Sequence, residues 1–461
     1  MKTDLNNKID SRYAVLIDFG STYTKMALAD RADRRIITTA HFPSTVSTDA
    51  SIALSECYNV AKEAIGPDEF ERAYKIASSS SAGGLRMAVS GLSRSLSIQA
   101  GRSAAFGAGA KILCTCSGLL KDDDIKELTS LPIEILLVTG GYDHGNRTTL
   151  LANCRKLAES SIHVPIVFAG NCDIEQDVRR MFTFAGKEFY IVPNILPAVG
   201  RVSSKPVEEI IRNLFLSHIV NMKGLDKVTA LLDQVVMPTP KAVLSACELL
   251  SLGPGGKGGL GELLVVDVGG ATTDIHSCAE PRAYEGAKLL GAGSAYTQRT
   301  VEGDLGMRES SDTLLAEAGP FEKDIQPVID RWHENHEALP ETDLEAEADH
   351  FLAKNAVRIS ARRHAGRIEP TVGSVVRYVQ YGKDLTGVSS VIGTGGPLVF
   401  SGYGKELLKE VLRDPEQEPE ILLPSDARFY LDEDYIFFAA GLLREIDEEA
   451  AFGILLKSLR I

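Results

Sequence analysis

Residues Val15–Asp30 read VLIDFGSTYTKMALAD, and residues Leu263–Cys278 read LLVVDVGGATTDIHSC. Each stretch has an apolar strand, then Asp-x-Gly, then small or hydroxyl residues, and then a second strand. This pattern predicts a β-hairpin with a glycine-containing turn. A single Asp-x-Gly after a strand is most often a plain turn. Two copies separated by the length of a domain are a much more specific signal.

The two hairpins have the chemistry of phosphate-binding loops. Glycine lets the backbone approach an anion without a Cβ in the way, and successive backbone N–H groups in a turn form an anion-binding nest. A carboxylate cannot favour a bare phosphate, so Asp18 and Asp267 imply a cation between them and the phosphate, above all hydrated Mg²⁺. Two such hairpins, one per domain, are expected to clamp a phosphate chain from both sides.

Length and composition limit the possible classes of protein. The chain has 461 residues, enough for two domains or more, with 44% hydrophobic and 24% charged residues. A formal net charge of −14 argues against a general nucleic-acid binder, which needs a basic face. No apolar run approaches the ~18 residues of a membrane span, and the first ten residues are polar, without a signal-peptide core. Seven scattered cysteines fit a reduced cytoplasm.

Strand and helix patterns alternate from about residue 73, which predicts right-handed crossovers and a parallel sheet. Met237–Leu252 is expected to be a helix with prolines at its start. We interpret the glycine-rich stretch Gly253–Gly261 as a flexible break near a domain boundary. After it, the pattern restarts with the second hairpin, and a long helix is expected at the C-terminus.

These motifs resemble those of the actin, heat-shock-chaperone and sugar-kinase superfamily of ATPases. The hairpin at Asp18 resembles the first phosphate loop, in which Lys25 would contact the β- and γ-phosphates. The hairpin at Asp267 resembles the second phosphate loop, and VIGTGGP (Val391–Pro397) resembles the adenosine motif, although it is also compatible with a plain strand-to-helix turn. The resemblance implies ATP and Mg²⁺ as cofactors, with Asp18 and Asp267 as metal-holding, catalytic residues. The cofactor-binding residues that it implies are Asp18, Gly20, Ser21, Thr22, Lys25, Asp267, Gly269, Gly270, Thr272, Thr273, Gly393, Thr394, Gly395 and Gly396.

The expected fold is therefore α/β: a two-domain actin-like ATPase of the ribonuclease H-like type. We place a flexible N-terminus at 1–11, domain I at 12–240 and domain II at 241–461, with a C-terminal interdomain helix. Domain I would contain an enlarged parallel α/β segment at about 73–197. Ala242, Ala246 and Ala439–Gly441 lie where the superfamily has two interdomain helices, and their small side chains would allow close crossing and hinging or serve ordinary helix packing.

A narrower resemblance covers nearly the whole chain in order. The matching segments are Ala77–Leu92, Ile135–Asn146, Pro165–Asn171, Met237–Leu250 and Val301–Arg308. They resemble the glutamate-mutase accessory ATPases, the MutL or GlmL family, which is unrelated to the mismatch-repair protein of the same name. The family implies an ATP-dependent chaperone for adenosylcobalamin-dependent mutases, with a mutase subunit as partner. His144-Gly145 stands where two glycines are expected after Asp143.

Two further segments have open interpretations. Asp143 would lie at the carboxyl edge of the parallel sheet and act as a catalytic residue that positions water or Mg²⁺, or serve as an N-cap or turn residue. Gly303–Arg308 (GDLGMR) would follow a helix starting near Ser294 and either border the adenine pocket or end that helix.

Three classes of function remain. The first is a chaperone ATPase whose nucleotide state sets the angle between its domains and releases damaged cobalamin from a mutase, with slow hydrolysis when the client is absent. The second is a small-molecule kinase of the same fold, which needs a general base, and Asp143 is the one candidate. The third is an ATP-regulated scaffold. The resemblance favours the first.

Overall fold

The structure is a computed structural model that describes residues 8–20, 23–45, 49–79, 85–219, 228, 231–290, 295–336, 338–371 and 377–461. The chain divides into two compact units. Unit 1 comprises Met1–Val243, Gly291–Ala295 and Gly441–Ala450, and unit 2 comprises Leu244–Leu290, Tyr296–Ala440 and Ala451–Ile461. In the described part of the chain, no helix is long and apolar enough to cross a membrane.

Strands and helices alternate along much of the chain. The strands are β1 Tyr13–Phe19, β2 Tyr23–Asp30, β3 Arg35–Pro43, β4 Tyr74–Ser79, β5 Arg86–Gly91, β6 Lys111–Ser117, β7 Ile135–Gly140, β8 Ile166–Gly170, β9 Phe189–Ile191, β10 Gln234–Pro238, β11 Leu263–Val268, β12 Thr273–Cys278, β13 Ala287–Leu290, β14 Thr297–Glu302, β15 Arg367–Pro370, β16 Tyr378–Tyr381, β17 Ser390–Thr394 and β18 Arg428–Leu431. The α-helices are α1 Ser51–Ile65, α2 Pro67–Arg72, α3 Gln99–Gly107, α4 Asp122–Ser130, α5 Thr148–Glu159, α6 Glu175–Phe184, α7 Lys205–Ile219, α8 Thr239–Leu252, α9 Ser311–Ala318, α10 Gln326–Glu334, α11 Asp343–His364, α12 Gly396–Val399, α13 Gly404–Leu407, α14 Phe437–Leu443 and α15 Glu448–Ser458.

Unit 1 contains a mixed five-stranded sheet with the strand order β10-β4-β1-β2-β3. β1, β2 and β3 form an antiparallel meander, and β4 and β10 add to it in parallel with β1. β1 occupies the centre because its residues from Ala14 to Phe19 are buried on both faces, as a near-continuous apolar run requires.

A second sheet of unit 1 lies in the sequence between β4 and β10. Its strand order is β6-β5-β7-β8-β9, and every neighbouring pair is parallel. This is the doubly wound order in which the chain reverses direction beside its first strand, here β5. We predicted the enlarged segment at about 73–197, but Tyr74–Ser79 forms β4 of the mixed sheet, and the parallel sheet begins at Arg86.

The two sheets of unit 1 share one hydrophobic core. Val15 and Ile17 of β1 belong to the same buried cluster as Val89 of β5 and Leu137 of β7. The alternate residues of the parallel sheet, such as Leu136, face a separate cluster on the other side. The period-two alternation of a strand therefore gives this sheet two distinct apolar faces.

Unit 2 repeats the architecture of the mixed sheet. Its five-stranded sheet has the order β14-β12-β11-β17-β18, in which β11, β12 and β14 form the antiparallel meander and β17 and β18 add in parallel. A small three-stranded sheet, β13-β16-β15, accompanies it. The same order in both units is a duplicated α/β fold, and the expected actin-like fold class is confirmed.

Two local expectations are wrong, and a third holds for only part of its segment. Met237 and Pro238 end strand β10, so that α8 begins at Thr239. In the glycine-rich stretch Gly253–Gly261, Gly253 and Gly259 pack against backbone atoms, whereas Gly255, Gly256 and Gly258 are exposed. The C-terminal helix is two helices, because the chain turns between Leu443 and Glu448.

Candidate functional site

The first predicted loop is a tight turn between β1 and β2. Gly20 N donates a hydrogen bond to Tyr23 O at 3.0 Å. A Cβ on Gly20 would lie only 2.4 Å from that oxygen, so the turn itself requires glycine here. Ser21 and Thr22, which we predicted as cofactor-binding residues, lie outside the described residues.

Asp18 and Lys25 are direct partners across the β1–β2 hairpin. The Asp18 side chain is almost fully buried. Ser78 Oγ donates a hydrogen bond to Asp18 Oδ1 at 3.0 Å, and Thr239 Oγ1 donates a second one. Burial raises the pKa of Asp18, while the charge of Lys25 and the two hydroxyl groups oppose that shift.

Sequence reasoning missed both Ser78 and Thr239. They come from the end of β4 and the first residue of α8, and strand pairing brings β4 beside β1. The available signals were the serine run after Ala77 and the helix-start pattern around Thr239. Together with Lys25, these residues make a preorganised carboxylate and cation at one end of β1.

The second predicted loop has the same construction in unit 2. Gly269 N donates to Thr272 O at 2.9 Å, as Gly20 N does to Tyr23 O. Asp267 is the direct partner of Asp274 across the hairpin, at the position that corresponds to Lys25 in the first loop. Two carboxylates therefore lie side by side, an arrangement that suits a divalent cation.

Asp274 was quoted in the motif but not predicted as a site residue. Arg299 Nη2 donates to Asp274 Oδ1 at 2.9 Å, and Thr272 Oγ1 donates to Asp274 Oδ2 at 3.1 Å. Thr273 differs from Thr272, because its side chain is fully buried and its hydroxyl donates to Leu305 O at 2.7 Å. The Thr273 side chain thus anchors the loop to the neighbouring segment.

The segment Gly303–Arg308 supports the second loop from outside. Met307 N donates to Gly269 O at 3.0 Å, and Arg308 N donates to Gly270 O at 2.8 Å. Arg308 Nη2 in turn pairs with Asp349 Oδ1 at 2.9 Å. The helix expected ahead of this segment is wrong: Thr297–Glu302 is strand β14, and Ser294 lies outside the described residues.

The predicted adenosine motif ends β17 and begins α12. Gly395 has φ +90°, and a Cβ there would lie 2.2 Å from Val268 O, next to the second loop. Thr394 Oγ1 donates to Asp432 Oδ2 at 3.0 Å. Asp432 is fully buried, and burial raises the pKa of its carboxyl against the opposing hydrogen bonds from Ile436 N, Phe437 N and other donors.

The packing of the glycines tests whether these loops fit a phosphate ligand. Gly20 and Gly395 are required by the fold, because an added Cβ on each would lie 2.4 Å or less from a backbone oxygen, whereas on Gly393 it would meet only leucine side chains at 3.0 Å. Gly270 and Gly396 differ, since an added Cβ would have ordinary contacts at 3.7 Å and 4.0 Å. The described packing leaves space beside these two glycines, where a ligand could approach the backbone without meeting a Cβ. The loops therefore fit such a group.

Asp143 lies in the inserted parallel sheet. Its Oδ1 accepts hydrogen bonds from Asn194 Nδ2 at 2.8 Å and from Cys172 N at 3.0 Å. Burial acts to raise the pKa of Asp143, but these hydrogen bonds outweigh it and hold the pKa below the usual value. These partners follow β8 and β9, so that Asp143 braces the loops of the inserted sheet. Both partners belong to the inserted sheet and not to the hairpin that carries Asp18.

Comparison with solved structures finds proteins of low sequence identity. The chain is similar to the nucleotide-free structure of acetone carboxylase, with 12% identity, a TM-score of 0.33 and coverage of 93% of this chain and 70% of that one. It is similar to a carbohydrate kinase from Novosphingobium aromaticivorans, with 13% identity, a TM-score of 0.30 and coverage of 95% and 92%. It is also similar to the ethanolamine utilization protein EutJ from Carboxydothermus hydrogenoformans, with 11% identity, a TM-score of 0.28 and coverage of 95% and 89%.

Comparison with characterised sequences is more specific. Protein MutL of Clostridium tetanomorphum is 36% identical over an alignment of 456 residues that covers 96% of this chain and 98% of that protein. The family model described as MutL protein matches residues 14–459. The chain therefore belongs to the MutL protein family.

Proposed function

We propose that the two equivalent hairpin loops bind ATP with Mg²⁺ and that the protein hydrolyses the nucleotide. The observation that carries this proposal is the repeated turn: the same hydrogen bond closes Gly20–Tyr23 and Gly269–Thr272 at the same place in two sheets of the same order. Each of these turns also has an aspartate two residues before its glycine, which the turn geometry does not require. Phosphate binding explains the repeated turn, because backbone N–H groups at the turns would face the anion.

In this proposal, each side chain has a separate role in binding the nucleotide. Asp18 and Asp267 hold hydrated Mg²⁺, and Asp274 adds a second carboxylate beside Asp267. Lys25 contacts the β- and γ-phosphates, whose charge must be compensated as it develops during transfer. Gly270 and Gly396 let the backbone approach the nucleotide.

ATP binding is tested by Lys25→Ala. Loss of a charge-assisted contact to phosphate, worth about 1.5–3 kcal/mol, lowers ATP affinity roughly tenfold or more. Lys126→Ala is the matched control, since the Lys126 side chain is exposed on α4 of the inserted sheet. Calorimetry with ATP and Mg²⁺ measures both variants. If Lys25→Ala binds ATP as tightly as the wild-type protein does, the assignment of the first loop to phosphate binding is wrong.

Membership of the MutL family, together with the resemblance to glutamate-mutase accessory ATPases, supports a role beside a mutase. We infer that the protein is a cytoplasmic, ATP-dependent chaperone that reactivates an adenosylcobalamin-dependent mutase of the glutamate mutase or aminomutase type. Binding the open form of the mutase more tightly than the closed form would shift its population towards release of a damaged corrinoid. A shift from 1:99 to 99:1 needs about 5.5 kcal/mol of differential binding.

Reactivation is tested directly with the client. A mutase that co-purifies with the protein is inactivated, and free adenosylcobalamin is added with the protein and either ATP or a non-hydrolysable analogue. Recovery with ATP alone supports the proposal, and Asp267→Asn is expected to bind nucleotide but to recover little activity. Equal recovery without nucleotide, or none with ATP, rejects it in favour of a kinase or a scaffold.

A further inference from the structure

The carboxyl ends of β7 and β8 bring together three side chains that the proposed function does not use. They are His144 in the loop after β7, and Cys172 and Asp173 in the loop after β8. One ligand atom from each, a histidine nitrogen, a cysteine sulfur and a carboxylate oxygen, lies within 4.8 Å of the other two. His144 Nδ1 is 2.9 Å from Asp173 Oδ1, and Cys172 Sγ is 3.9 Å from the same oxygen.

We propose that His144, Cys172 and Asp173 form a binding site for a zinc-like divalent metal ion. Nitrogen, sulfur and carboxylate ligands at about 2.0–2.3 Å from Zn²⁺ are roughly 3.5 Å from one another in a tetrahedral site. The observed separations bracket that value, so only small side-chain rotations are needed. A thiolate ligand disfavours Mg²⁺ and Ca²⁺, which take oxygen ligands.

Buried polar residues hold the backbone of the two loops in position. Asn171 is fully buried, and its Oδ1 accepts a hydrogen bond from Asp173 N at 2.9 Å. Asp143 Oδ1 accepts one from Cys172 N at 3.0 Å. Asn194, which is 4% exposed, donates from Nδ2 to Asp143 Oδ1 and to Gly141 O at 2.8 Å and 2.9 Å. These contacts join the loops after β7, β8 and β9, so the ligands are preorganised by residues that do not bind the metal.

The backbone of His144 is a second, independent feature. Its φ of +63° lies in the left-handed region, which costs a non-glycine residue of order 1 kcal/mol. The family resemblance leads us to expect glycine at this position, and glycine would adopt this φ without cost. The left-handed residue instead carries an imidazole, whose ring faces Asp173. A ligand bound by the imidazole, in addition to its contact with Asp173, would offset the cost of this conformation.

The charges around the site leave room for a cation. Arg147 Nε lies 3.6 Å from Asp173 Oδ2, but its side chain is 60% exposed and approaches the oxygen that His144 does not contact. Asp173 Oδ1 therefore remains directed at His144 and Cys172. The His144 side chain is 81% exposed, so a fourth coordination position would face solvent. Three protein ligands with one open position are typical of zinc sites that bind a further ligand.

The proposal is tested with Co²⁺ as a spectroscopic probe on the metal-free, nucleotide-free full chain. We expect one Co²⁺ per chain with a thiolate-to-cobalt charge-transfer band, which excess Mg²⁺ does not remove. Cys172→Ser should abolish the band. Asp143→Asn removes a positioning residue and should weaken Co²⁺ binding roughly 10- to 100-fold. His144→Asn removes a ligand and should weaken Co²⁺ binding by more than that. Circular dichroism of each variant verifies that it is folded.

Matched controls come from the same sheet. Cys114→Ser alters a half-buried cysteine on β6, and His163→Asn alters an exposed histidine before β8. Both should bind Co²⁺ like the wild type, with the band intact. Absence of the band in the wild-type protein, or its persistence in Cys172→Ser, overturns the proposal. ATP binding by the two hairpin loops does not depend on either result.

Discussion

Asp18 depends on residues that are far away in the sequence. Ser78 is 60 positions away and Thr239 is 221 positions away, yet both hydroxyl groups donate to the same carboxylate oxygen. Because burial raises the pKa of this carboxyl, each donor that favours the charged form opposes that rise. Removal of a hydrogen-bond donor costs more free energy at a buried carboxylate than at an exposed one, since water does not replace the donor at the buried site.

Thr239→Val tests this dependence while keeping the shape of the side chain. A hydrogen bond to a charged group contributes about 1.5–3 kcal/mol, so the free energy of unfolding should fall by that amount in urea denaturation. Thr39→Val, on the exposed side of β3, is the control and should change it by no more than about 0.5 kcal/mol. Equal stability of the two variants would mean that the Thr239 hydroxyl does not stabilise Asp18.

His364 predicts a pH dependence of stability. It is buried in unit 2, where Thr300 Oγ1 lies 2.9 Å from Nδ1 and Ser277 Oγ lies 2.8 Å from Nε2. Burial lowers its pKa to about 3, compared with about 6.5 in an unfolded chain. The unfolded state therefore binds more protons between these two values, and stability falls as the pH drops below 6.5.

The size of this effect follows from the two pKa values. Between pH 7.5 and pH 5.0, one such histidine costs about 2 kcal/mol of stability. His364→Gln should reduce the loss of unfolding free energy between pH 7.5 and pH 5.0 by that amount. His336→Gln, at an exposed position of the same unit, should leave the loss unchanged. An identical pH dependence in wild type and His364→Gln would contradict the assignment of a neutral, buried His364.

At the scale of elements, the glycine-rich stretch Gly253–Gly261 shows where composition misleads. Leu260 N and Gly261 N donate to Leu250 O and Ser251 O, at 2.9 Å and 3.0 Å. A Cβ on Gly259 would lie 2.1 Å from Ser251 O. The chain thus folds back on the end of α8, and Gly253 and Gly259 allow close backbone packing, whereas Gly255, Gly256 and Gly258 have open space around them. Sequence cannot separate this use of glycine from flexibility, because both need a missing side chain.

The break between α14 and α15 also depends on tertiary contacts. Asp447 Oδ1 accepts a hydrogen bond from Ala450 N at 2.9 Å, in the manner of an N-cap, while its Oδ2 pairs with Arg31 Nε at 2.9 Å. Arg31 lies at the end of β2, more than 400 residues earlier. The local pattern continued through this point, so a single long helix was the reasonable expectation from sequence.

The crossing of α8 and α14 gives a prediction at this scale. A Cβ on Gly441 would lie 1.8 Å from Ala242 O, and the contacting atoms are backbone, which cannot move cheaply. Gly441→Ala should therefore lower the free energy of unfolding by about 1–3 kcal/mol or more. In Gly107→Ala, the new Cβ meets the flexible end of Glu208 at 3.1 Å, and this control should change stability by less than about 1 kcal/mol. Comparable losses in both variants would contradict a close helix crossing.

At the scale of the whole molecule, the strands were predictable and their arrangement was less so. β1 and β11 are identified by buried apolar runs that end at Asp-x-Gly, and the parallel sheet by alternating strand and helix patterns. β4 belongs to the mixed sheet because it pairs with β1, and its own residues do not indicate which of the two sheets of unit 1 it joins. In the same way, the sheet order brings together the segments that carry Ser78 and Thr239. It also brings together the loops that carry His144 and Cys172. Local periodicity contains no information on that order.

The shared core of unit 1 leads to the last prediction. Leu137 of β7 packs in the same cluster as Ile17 of β1, so the two sheets should unfold as one cooperative unit even though one is an insertion in the sequence. Leu137→Ala, which should cost about 2–5 kcal/mol, is expected to accelerate amide hydrogen exchange in β1 and β4 as much as in β5 and β8. Leu264→Ala, in the separate core of unit 2, is the matched control and should accelerate exchange in β11 and β17 instead. Faster exchange confined to β5–β9 in Leu137→Ala would show that the inserted sheet is an independent folding unit and that the common core does not couple it to the strand carrying Asp18.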